Sequence, residues 1–166
     1  GFCTDTGYFR FLDQDSSEVF EGVSRLVKNG ANPRQTYSDI NSGKPFSTRK
    51  LLGVMLSRAE QYFNGKLIVT YETLEDTNLF GKEGRDSDSL YQLLLSVDGV
   101  QAVLFVRQDT DKTCTAGFRS KDAVDVSSIA AKFGGGGHKN AAGLSTEGTL
   151  DTLLPKIIEE FKSVLI

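Results

Sequence analysis

The chain has 166 residues, of which 39% are hydrophobic and 25% are charged, and its formal net charge is −3. This composition is typical of a soluble globular protein, and the acidic balance argues against a general nucleic-acid coat, which needs a basic surface. The apolar runs are much shorter than the roughly 18 residues of a membrane span, so a membrane protein is excluded. Because the first residue is Gly1 and the only methionine is Met55, the chain is expected to be a piece of a longer protein.

The first 64 residues carry mostly helical patterns. Apolar residues recur at helical spacing in three stretches, each bounded by residues that start or stop helices. A short segment before them, Phe2 to Thr4, resembles a strand. The predicted helices are one capped by Asp15 with Glu18 in a capping box and ended by Asn29-Gly30, a short one over about Pro33 to Asn41, and one capped by Ser47 or Thr48 that runs on through Ala59, Tyr62 and Phe63.

Asn64-Gly65 marks a predicted boundary, after which strand patterns alternate with helical ones. The sequence therefore predicts an α/β protein in which a helical part, residues 1–64, precedes a small mixed-sheet domain, residues 65–166. The polar stretch 74–89 is interpreted as a solvated loop. The predicted elements are strands Lys66 to Glu72, Ala102 to Arg107, Thr113 to Arg119 and Ala142 to Ser145, and helices Asp86 to Val97 with Leu90, Leu93, Leu94 and Val97 inward, Val126 to Phe133, and a final one carrying Leu153 to Val164.

A glycine-rich decapeptide, Gly134 to Gly143, contains the only histidine of the chain. Residues without a Cβ allow positive φ and let another molecule approach the backbone closely. Successive N–H groups in such a bend can form a nest for phosphate oxygens. We therefore expect the amides of Gly135, Gly136 and Gly137 to bind an anion together with His138, with Lys139 peripheral. A flexible linker is the alternative, but apolar residues flank the segment on both sides, which favours a structured loop.

Arg119 is the second candidate anion contact. The run Thr113 to Arg119 alternates like a strand, with Cys114, Ala116 and Phe118 on one face and Arg119 on the other. A guanidinium can hold a phosphate group through two parallel hydrogen bonds. The alternative is an ordinary solvated surface arginine.

Cys3 and Cys114 lack the spacing of metal ligands, and each lies among apolar residues. Buried, reduced thiols are therefore favoured over a disulfide. Reduced cysteines are typical of the cytoplasm, which is the predicted location.

Two segments resemble a known family. The run from Phe118 to Gly143, FRSKDAVDVSSIAAKFGGGGHKNAAG, resembles the signature of the DHH-associated domain in the DHH phosphoesterases, in the group related to small oligoribonucleases and exopolyphosphatases. The opening segment, GFCTDTGYFR, is similar to the last metal-binding motif of their catalytic domain. The two motifs stand in the family's order, about 130 residues apart. The Asp-His-His motif that names the family is absent.

The resemblance implies a manganese-dependent phosphoesterase that acts on short nucleic acids or nucleotides and whose catalytic half lies outside this chain. It implies that 1–64 is the end of that catalytic domain with linker helices and that 65–166 is the DHH-associated, substrate-binding domain. It makes Asp5 a metal ligand, whereas the residues alone favour an ordinary turn aspartate that hydrogen-bonds its own backbone. The other ligands would belong to the missing N-terminal half, so this chain alone is expected to be inactive and to bind no cofactor.

Three kinds of function remain open. The parent protein hydrolyses short RNA or DNA oligonucleotides or a nucleoside bisphosphate, or it cleaves polyphosphate or a cyclic dinucleotide, or this domain is purely a nucleic-acid-binding appendage, as a similar domain is in alanyl-tRNA synthetases. The opening motif with Asp5 argues against the third. Between Ala102 and Gly143 six Lys or Arg stand against four Asp or Glu, a local net charge of +2 that suits a ligand with few phosphates. The sequence leaves both a monomer and a homodimer open.

Overall fold

The structure, a computed structural model, describes residues 2–10, 12–83, 85–121 and 124–165, and the side chain of Asp5 lies outside this description. The chain divides into two compact units, residues 1–44 and 45–166. The predicted domain boundary at residue 64 stays a prediction. In the first unit the helices are α1 Phe2–Asp5, α2 Ser17–Lys28 and α3 Pro33–Asn41.

The second unit is a mixed α/β structure built on one sheet. Helices and strands alternate along most of it, as the sequence predicts. The elements are α4 Phe46–Ser57, β1 Glu60–Tyr62, β2 Leu67–Glu72, α5 Leu74–Phe80, α6 Ser87–Leu95, β3 Ala102–Thr110, β4 Thr113–Ser120, α7 Ser127–Lys132, β5 Gly136–His138, β6 Ala141–Glu147, α8 Leu150–Glu160 and α9 Lys162–Leu165.

The sheet has the strand order β1-β2-β3-β4-β6-β5. Strands β2 and β3 are parallel, and the other neighbours are antiparallel. One face packs against α7, α8 and α9 around the buried residues Phe118, Ile129 and Ile157. The opposite face is covered by α4 and α6 over β2 and β3, around Leu51, Leu90 and Val103. The apolar core therefore lies on both sides of β3, whose buried run the sequence had indicated.

The predicted fold class is confirmed, and several elements match closely. Helix α3 has the predicted bounds, and its first turn is capped by the side chain of Asn32, which accepts a hydrogen bond from the Gln35 amide at 3.1 Å. Along β4 the buried residues alternate as predicted, with Arg119 on the face opposite Phe118. Among the described residues, no helix combines the length and the apolarity needed to cross a membrane.

Two predictions for the first unit are wrong. Phe2 to Thr4 belong to helix α1 instead of a strand, and the Thr6 amide bonds to the Phe2 carbonyl one turn back. This bonding satisfies the backbone locally, where a lone strand would leave it unpaired. Asp15 does not cap α2, because the Asp13 carboxylate accepts the Asp15 amide at 3.0 Å in a turn before the helix. The cap position falls one residue later, at Ser16.

The helix predicted to run through Phe63 ends at Ser57. Residues 60–62 instead form the edge strand β1, which pairs with β2. The connection is a tight turn in which Phe63, Asn64 and Gly65 all have positive φ, at 53°, 55° and 82°. The helical spacing of Ala59, Tyr62 and Phe63 was therefore misleading, because pairing with a distant strand overrides local pattern.

The stretch 74–89 is not a solvated loop. It contains α5, which begins with a capping box in which Thr73 and Asp76 exchange hydrogen bonds. Burial raises the pKa of Asp76, but bonds from Arg58 and Thr73 outweigh burial and hold that pKa below its ordinary value. Arg85 likewise pairs with Glu72, which is only 1% exposed. Asp76, Arg85 and Asp86, three of the charged residues that suggested a loop, are thus used in ion pairs within the protein.

Helix α6 is shorter than predicted, because Asp86 caps it and it ends at Leu95. Leu90 and Leu94 are buried as expected, but Leu93 and Val97 are exposed. Their inward orientation was predicted wrongly, because Leu93 lies on the exposed side of α6 and Val97 lies beyond the end of that helix. The residue that faces the sheet in their place is Tyr91.

Candidate functional site

The sheet register places two of the predicted site residues in one row. Arg119 of β4 is opposite Ala141 of β6, and Ala141 is opposite His138 of β5. Directly opposed residues in antiparallel strands point to the same face of the sheet. Arg119 and His138 therefore share a face, with Cα atoms about 9–10 Å apart, two strand spacings. Only the small side chain of Ala141 stands between them.

The next row on the same face is made of glycines. Gly117, Gly143 and Gly136 are opposed across β4, β6 and β5, each two residues from a member of the first row. We call these two rows, Arg119-Ala141-His138 and Gly117-Gly143-Gly136, the glycine shelf. The helices that pack on this face contribute their buried residues over β2 and β3. The shelf lies over β4, β6 and β5, where His138 and Gly136 are exposed.

The four consecutive glycines do not form the predicted bend. Gly136 and Gly137 belong to β5, the edge strand of a hairpin with β6. The Gly135 amide donates to the Ala130 carbonyl at 2.9 Å, so it is engaged within the protein. Since β5 is the outermost strand, one side of its backbone faces away from the sheet.

Three of these glycines have a structural reason to be glycine. Gly134 has a φ of +78° just after α7, a conformation that favours glycine. A Cβ on Gly135 would lie 2.3 Å from the Gly143 carbonyl oxygen, and a Cβ on Gly137 would lie 2.5 Å from that of Ala141. Gly136 is different, because a Cβ there would meet nothing within 4 Å. The open space above Gly136 lies on the shelf.

The side chain of Arg119 is held in place by two contacts within the protein. Its guanidinium carbon lies 4.7 Å from the centre of the Tyr91 ring, and its Nη1 donates a hydrogen bond to the Phe118 carbonyl at 2.9 Å. The side chain is therefore half-buried and positioned, and the alternative of a freely solvated arginine does not describe it. A stacked, positioned guanidinium loses less entropy when it binds an anion than a mobile one does.

The hairpin tip is fastened to the strand that carries Arg119. The Asn140 side chain donates to the Ser120 hydroxyl at 3.0 Å, and the Ser120 amide donates to the Asn140 carbonyl. The Lys139 carbonyl accepts the Val126 amide at 2.9 Å. These bonds fix His138 relative to Arg119, although His138 itself is exposed.

Lys139 lies at the hairpin turn with an exposed side chain. Hydrogen bonds from Ser127, followed by those from backbone amides, hold the pKa of Asp125 below its ordinary value, and the charge of Lys139 adds to this effect. The nearby Asp125 carboxylate balances part of the Lys139 charge. The peripheral role expected for Lys139 stays a prediction.

The structure does not locate a metal centre. The prediction that Asp5 binds a metal falls on a side chain outside the described part. In the ranges that the structure does describe, no three His, Cys, Asp or Glu side chains are grouped as a metal ion requires. Both cysteines are free, Cys114 buried and Cys3 half-buried. The described residues therefore do not fit a bound divalent metal by themselves.

An apolar groove lies elsewhere in the same unit. A shallow groove of about 670 Å³ runs between α4 and α5 and is lined by Phe46, Val54, Leu79 and Phe80 among others. It contains none of the predicted site residues, and its lining is mostly apolar. Ligand sites usually combine apolar walls with a few convergent polar groups. The glycine shelf has such polar groups, Arg119 and His138, on one face.

Sequence reasoning missed Tyr91 and the glycine row. Tyr91 lies one position after Leu90 on a predicted helix, and nothing local distinguishes it from a core residue. Gly117 and Gly143 were read as parts of a strand and a loop. Only the register of β4 with β6 shows that they are neighbours.

Comparison with known proteins identifies the second unit. The DHHA1 domain family matches residues 64–165. A Thermus thermophilus protein described as a bifunctional oligoribonuclease and PAP phosphatase NrnA is 33% identical over 166 residues, which cover 99% of this chain and 49% of that protein. The Bacillus subtilis protein of the same description is 26% identical over 147 residues, covering 87% of this chain and 45% of the relative.

A solved structure has the same fold over nearly the whole chain. The crystal structure of an exopolyphosphatase-related protein from Bacteroides fragilis superposes with a TM-score of 0.86 at 26% identity, covering 99% of this chain and 49% of that one. This chain therefore spans about half the length of the relatives that it matches.

Proposed function

The chain belongs to the DHHA1 domain family, and we propose that it is the substrate-binding part of a DHH-family phosphoesterase. In this proposal the glycine shelf grips a phosphate group or the terminal nucleotide of a short oligonucleotide or a nucleoside bisphosphate. The family membership supports the general role. The chemistry of the shelf supports the specific one.

The observation that carries the proposal is the register that brings Arg119 and His138 onto one face beside Gly136. A guanidinium and an imidazole are both hydrogen-bond donors to phosphate oxygens. Their separation of about two strand spacings leaves room for a group between them, over Ala141. The missing Cβ of Gly136 lets that group approach the backbone of β5. Because N–H groups alternate in direction along an antiparallel edge strand, one of the two neighbouring amides, that of Gly136 or that of Gly137, points away from β6 and is a further candidate donor.

Nucleotide substrates are favoured over bare phosphate chains. Two relatives are described as acting on oligoribonucleotides and on PAP, whereas the solved neighbour is named only as exopolyphosphatase-related. The local charge of +2 between Ala102 and Gly143 suits a ligand with few phosphates. A flat patch of glycine backbone beside the anion contacts also leaves space for a sugar or a base.

In this proposal this chain binds the substrate, and hydrolysis requires the catalytic half of the longer protein. A divalent metal, which we propose is manganese, would supply an activated water there, and Asp5 is the residue of this chain proposed to contribute to its binding. This chain's own residues would hold and orient the phosphate, which is a contribution to proximity. The free thiols of Cys3 and Cys114 fit a reducing compartment, and we propose the cytoplasm.

The proposal is tested by titration calorimetry of this chain, without metal, against a 5′-phosphorylated dinucleotide, a mononucleotide and pyrophosphate. We expect one site that binds both nucleotides more tightly than pyrophosphate, because base and sugar add contacts on the shelf. If pyrophosphate binds as tightly as the nucleotides do, polyphosphate becomes the proposed substrate in place of a nucleotide. Absence of binding to all three at millimolar concentration would overturn it.

A further inference from the structure

Tyr91 of helix α6 reaches the glycine shelf from the covered part of the same sheet face. Its side chain is almost wholly buried, with the residue 6% exposed. The ring meets Phe105 edge to face, with centroids 6.3 Å apart and an interplanar angle of 76°. This contact fixes the direction of the ring. The phenol is therefore a rigid group at the border between core and shelf.

The ring of Tyr91 supports the guanidinium of Arg119. The two groups are stacked, with 4.7 Å between the guanidinium carbon and the ring centre. Because Arg119 also donates to the carbonyl of Phe118, its position is determined from two sides. Any ligand bound by Arg119 is thus held close to the edge of the Tyr91 ring.

The hydroxyl of Tyr91 lies above Gly117 on the shelf. A Cβ built on Gly117 would be only 2.1 Å from the Tyr91 hydroxyl oxygen, so the hydroxyl fills the space that a side chain would take. Among residues 2–10, 12–83, 85–121 and 124–165, this hydroxyl makes no hydrogen bond, and it is not among the fully enclosed atoms that lack a partner. An unpaired donor beside a positioned arginine is suited to a ligand oxygen.

The protonation state agrees with a donor role. Burial raises the pKa of Tyr91 to about 12, and the nearby charge of Arg119 opposes this rise only in part. The hydroxyl therefore keeps its proton throughout the neutral range. A phosphate oxygen, which carries negative charge and accepts hydrogen bonds, is the matching partner.

We propose that Tyr91 is a further ligand-binding residue of the glycine shelf, whose hydroxyl donates a hydrogen bond to an oxygen of the phosphate group that Arg119 holds. The inference rests on the proposed function, because it takes the shelf to bind a phosphate ester. It adds a third donor to the imidazole and the guanidinium. It also gives Gly117 a role, since only glycine leaves room for this hydroxyl.

The test is Tyr91→Phe, which removes the hydroxyl and keeps the ring under Arg119. Pyrophosphate and the 5′-phosphorylated dinucleotide are titrated into the wild-type chain and the variant. We expect the Kd for both to rise by about tenfold or more, as for loss of a hydrogen bond to a charged group. A matched control is Tyr71→Phe, because Tyr71 also carries a stacked arginine, Arg58, at 4.7 Å but lies on the opposite sheet face.

The outcomes separate this inference from the proposed function. If the wild-type chain binds and Tyr91→Phe binds within twofold of it, the Tyr91 inference is overturned and the proposed function stands. A lower thermal midpoint with an unchanged Kd would show a structural role alone and would also overturn the inference. If the wild-type chain binds neither probe, the proposed function fails, and the inference fails with it.

Discussion

Replacing Arg119 by alanine is expected to weaken binding of phosphate-bearing ligands by about 10- to 150-fold, the effect of losing a charged hydrogen bond of about 1.5–3 kcal/mol. Arg119 is the one cation among the predicted contacts that the structure positions by stacking, on Tyr91. Its loss removes both the charge and the planar pair of donors. Calorimetric titration with pyrophosphate and a 5′-phosphorylated dinucleotide measures the change.

Two further variants show whether position or charge is responsible. Arg119→Lys keeps the charge but cannot stack or bind in the same bidentate way, so most of the affinity should still be lost. Arg34→Ala removes one positive charge at an exposed site in the first unit and should leave Kd unchanged. If Arg119→Ala binds within twofold of the wild type, or if Arg34→Ala weakens binding equally, Arg119 is not a specific contact.

The second large effect is expected within the glycine run, where substitution of one glycine should lower stability and substitution of its neighbour should weaken binding. Gly137→Ala should lower the free energy of unfolding by about 2–4 kcal/mol, from strain at an unusual φ together with overpacking. The φ of Gly137 is +146°, and a Cβ there would be 2.5 Å from the Ala141 carbonyl and 2.6 Å from the Ala142 Cα. These are backbone atoms of a paired strand, which cannot move cheaply. Thermal and urea unfolding measure the loss.

Gly136→Ala should leave stability within about 0.5 kcal/mol of the wild type, as is usual for surface substitutions. Its Cβ meets nothing within 4 Å, and its φ lies outside the range that favours glycine. The methyl group would nevertheless stand on the shelf, so we expect the Kd for the dinucleotide to rise roughly tenfold, as overpacking by one methyl group does. Gly53→Ala, in the exposed face of α4 with equally open space, is the control and should not affect binding.

The glycine prediction can fail in two recognisable ways. If Gly136→Ala binds as tightly as the wild type, the open space above Gly136 is not occupied by the ligand. If Gly137→Ala is as stable as the wild type, the close approach of β5 and β6 does not require glycine. The first result would contradict a ligand-binding role for Gly136, and the second would contradict a packing role for Gly137.

Much of the site was predictable because its parts follow from local rules. The alternation along β4 gave the face of Arg119, since side chains alternate along any strand. The run of glycines beside the only histidine indicated a close approach of backbone to something else. Helix α3 was predicted at about its observed bounds, and its start at Pro33 after the capping residue Asn32 is typical of helix N-termini.

The remainder depends on contacts between distant segments. Glycine is rare in strands, so no local pattern indicates that Gly136 and Gly137 form one; their pairing with Ala141 to Gly143 decides it. Tyr91 and Gly117 meet only because α6 packs across the sheet onto β4. Arg58 and Asp76, which form an ion pair, are 18 residues apart in sequence. Asp76 also forms the capping box with Thr73 that begins a helix where a loop was predicted. A single sequence contains no local pattern that shows which of its distant residues are in contact.

The central claim is that the glycine shelf is where this chain holds a phosphate ester. Backbone amide signals of the ¹⁵N-labelled chain, followed by NMR during titration with a 5′-phosphorylated dinucleotide, test it most directly. We predict that the largest saturable shifts belong to Gly136, Gly137, His138 and Gly143, with Arg119 beside them. Saturable shifts confined to another surface, such as the groove between α4 and α5, would contradict the account, and so would a chain whose signals do not move at all.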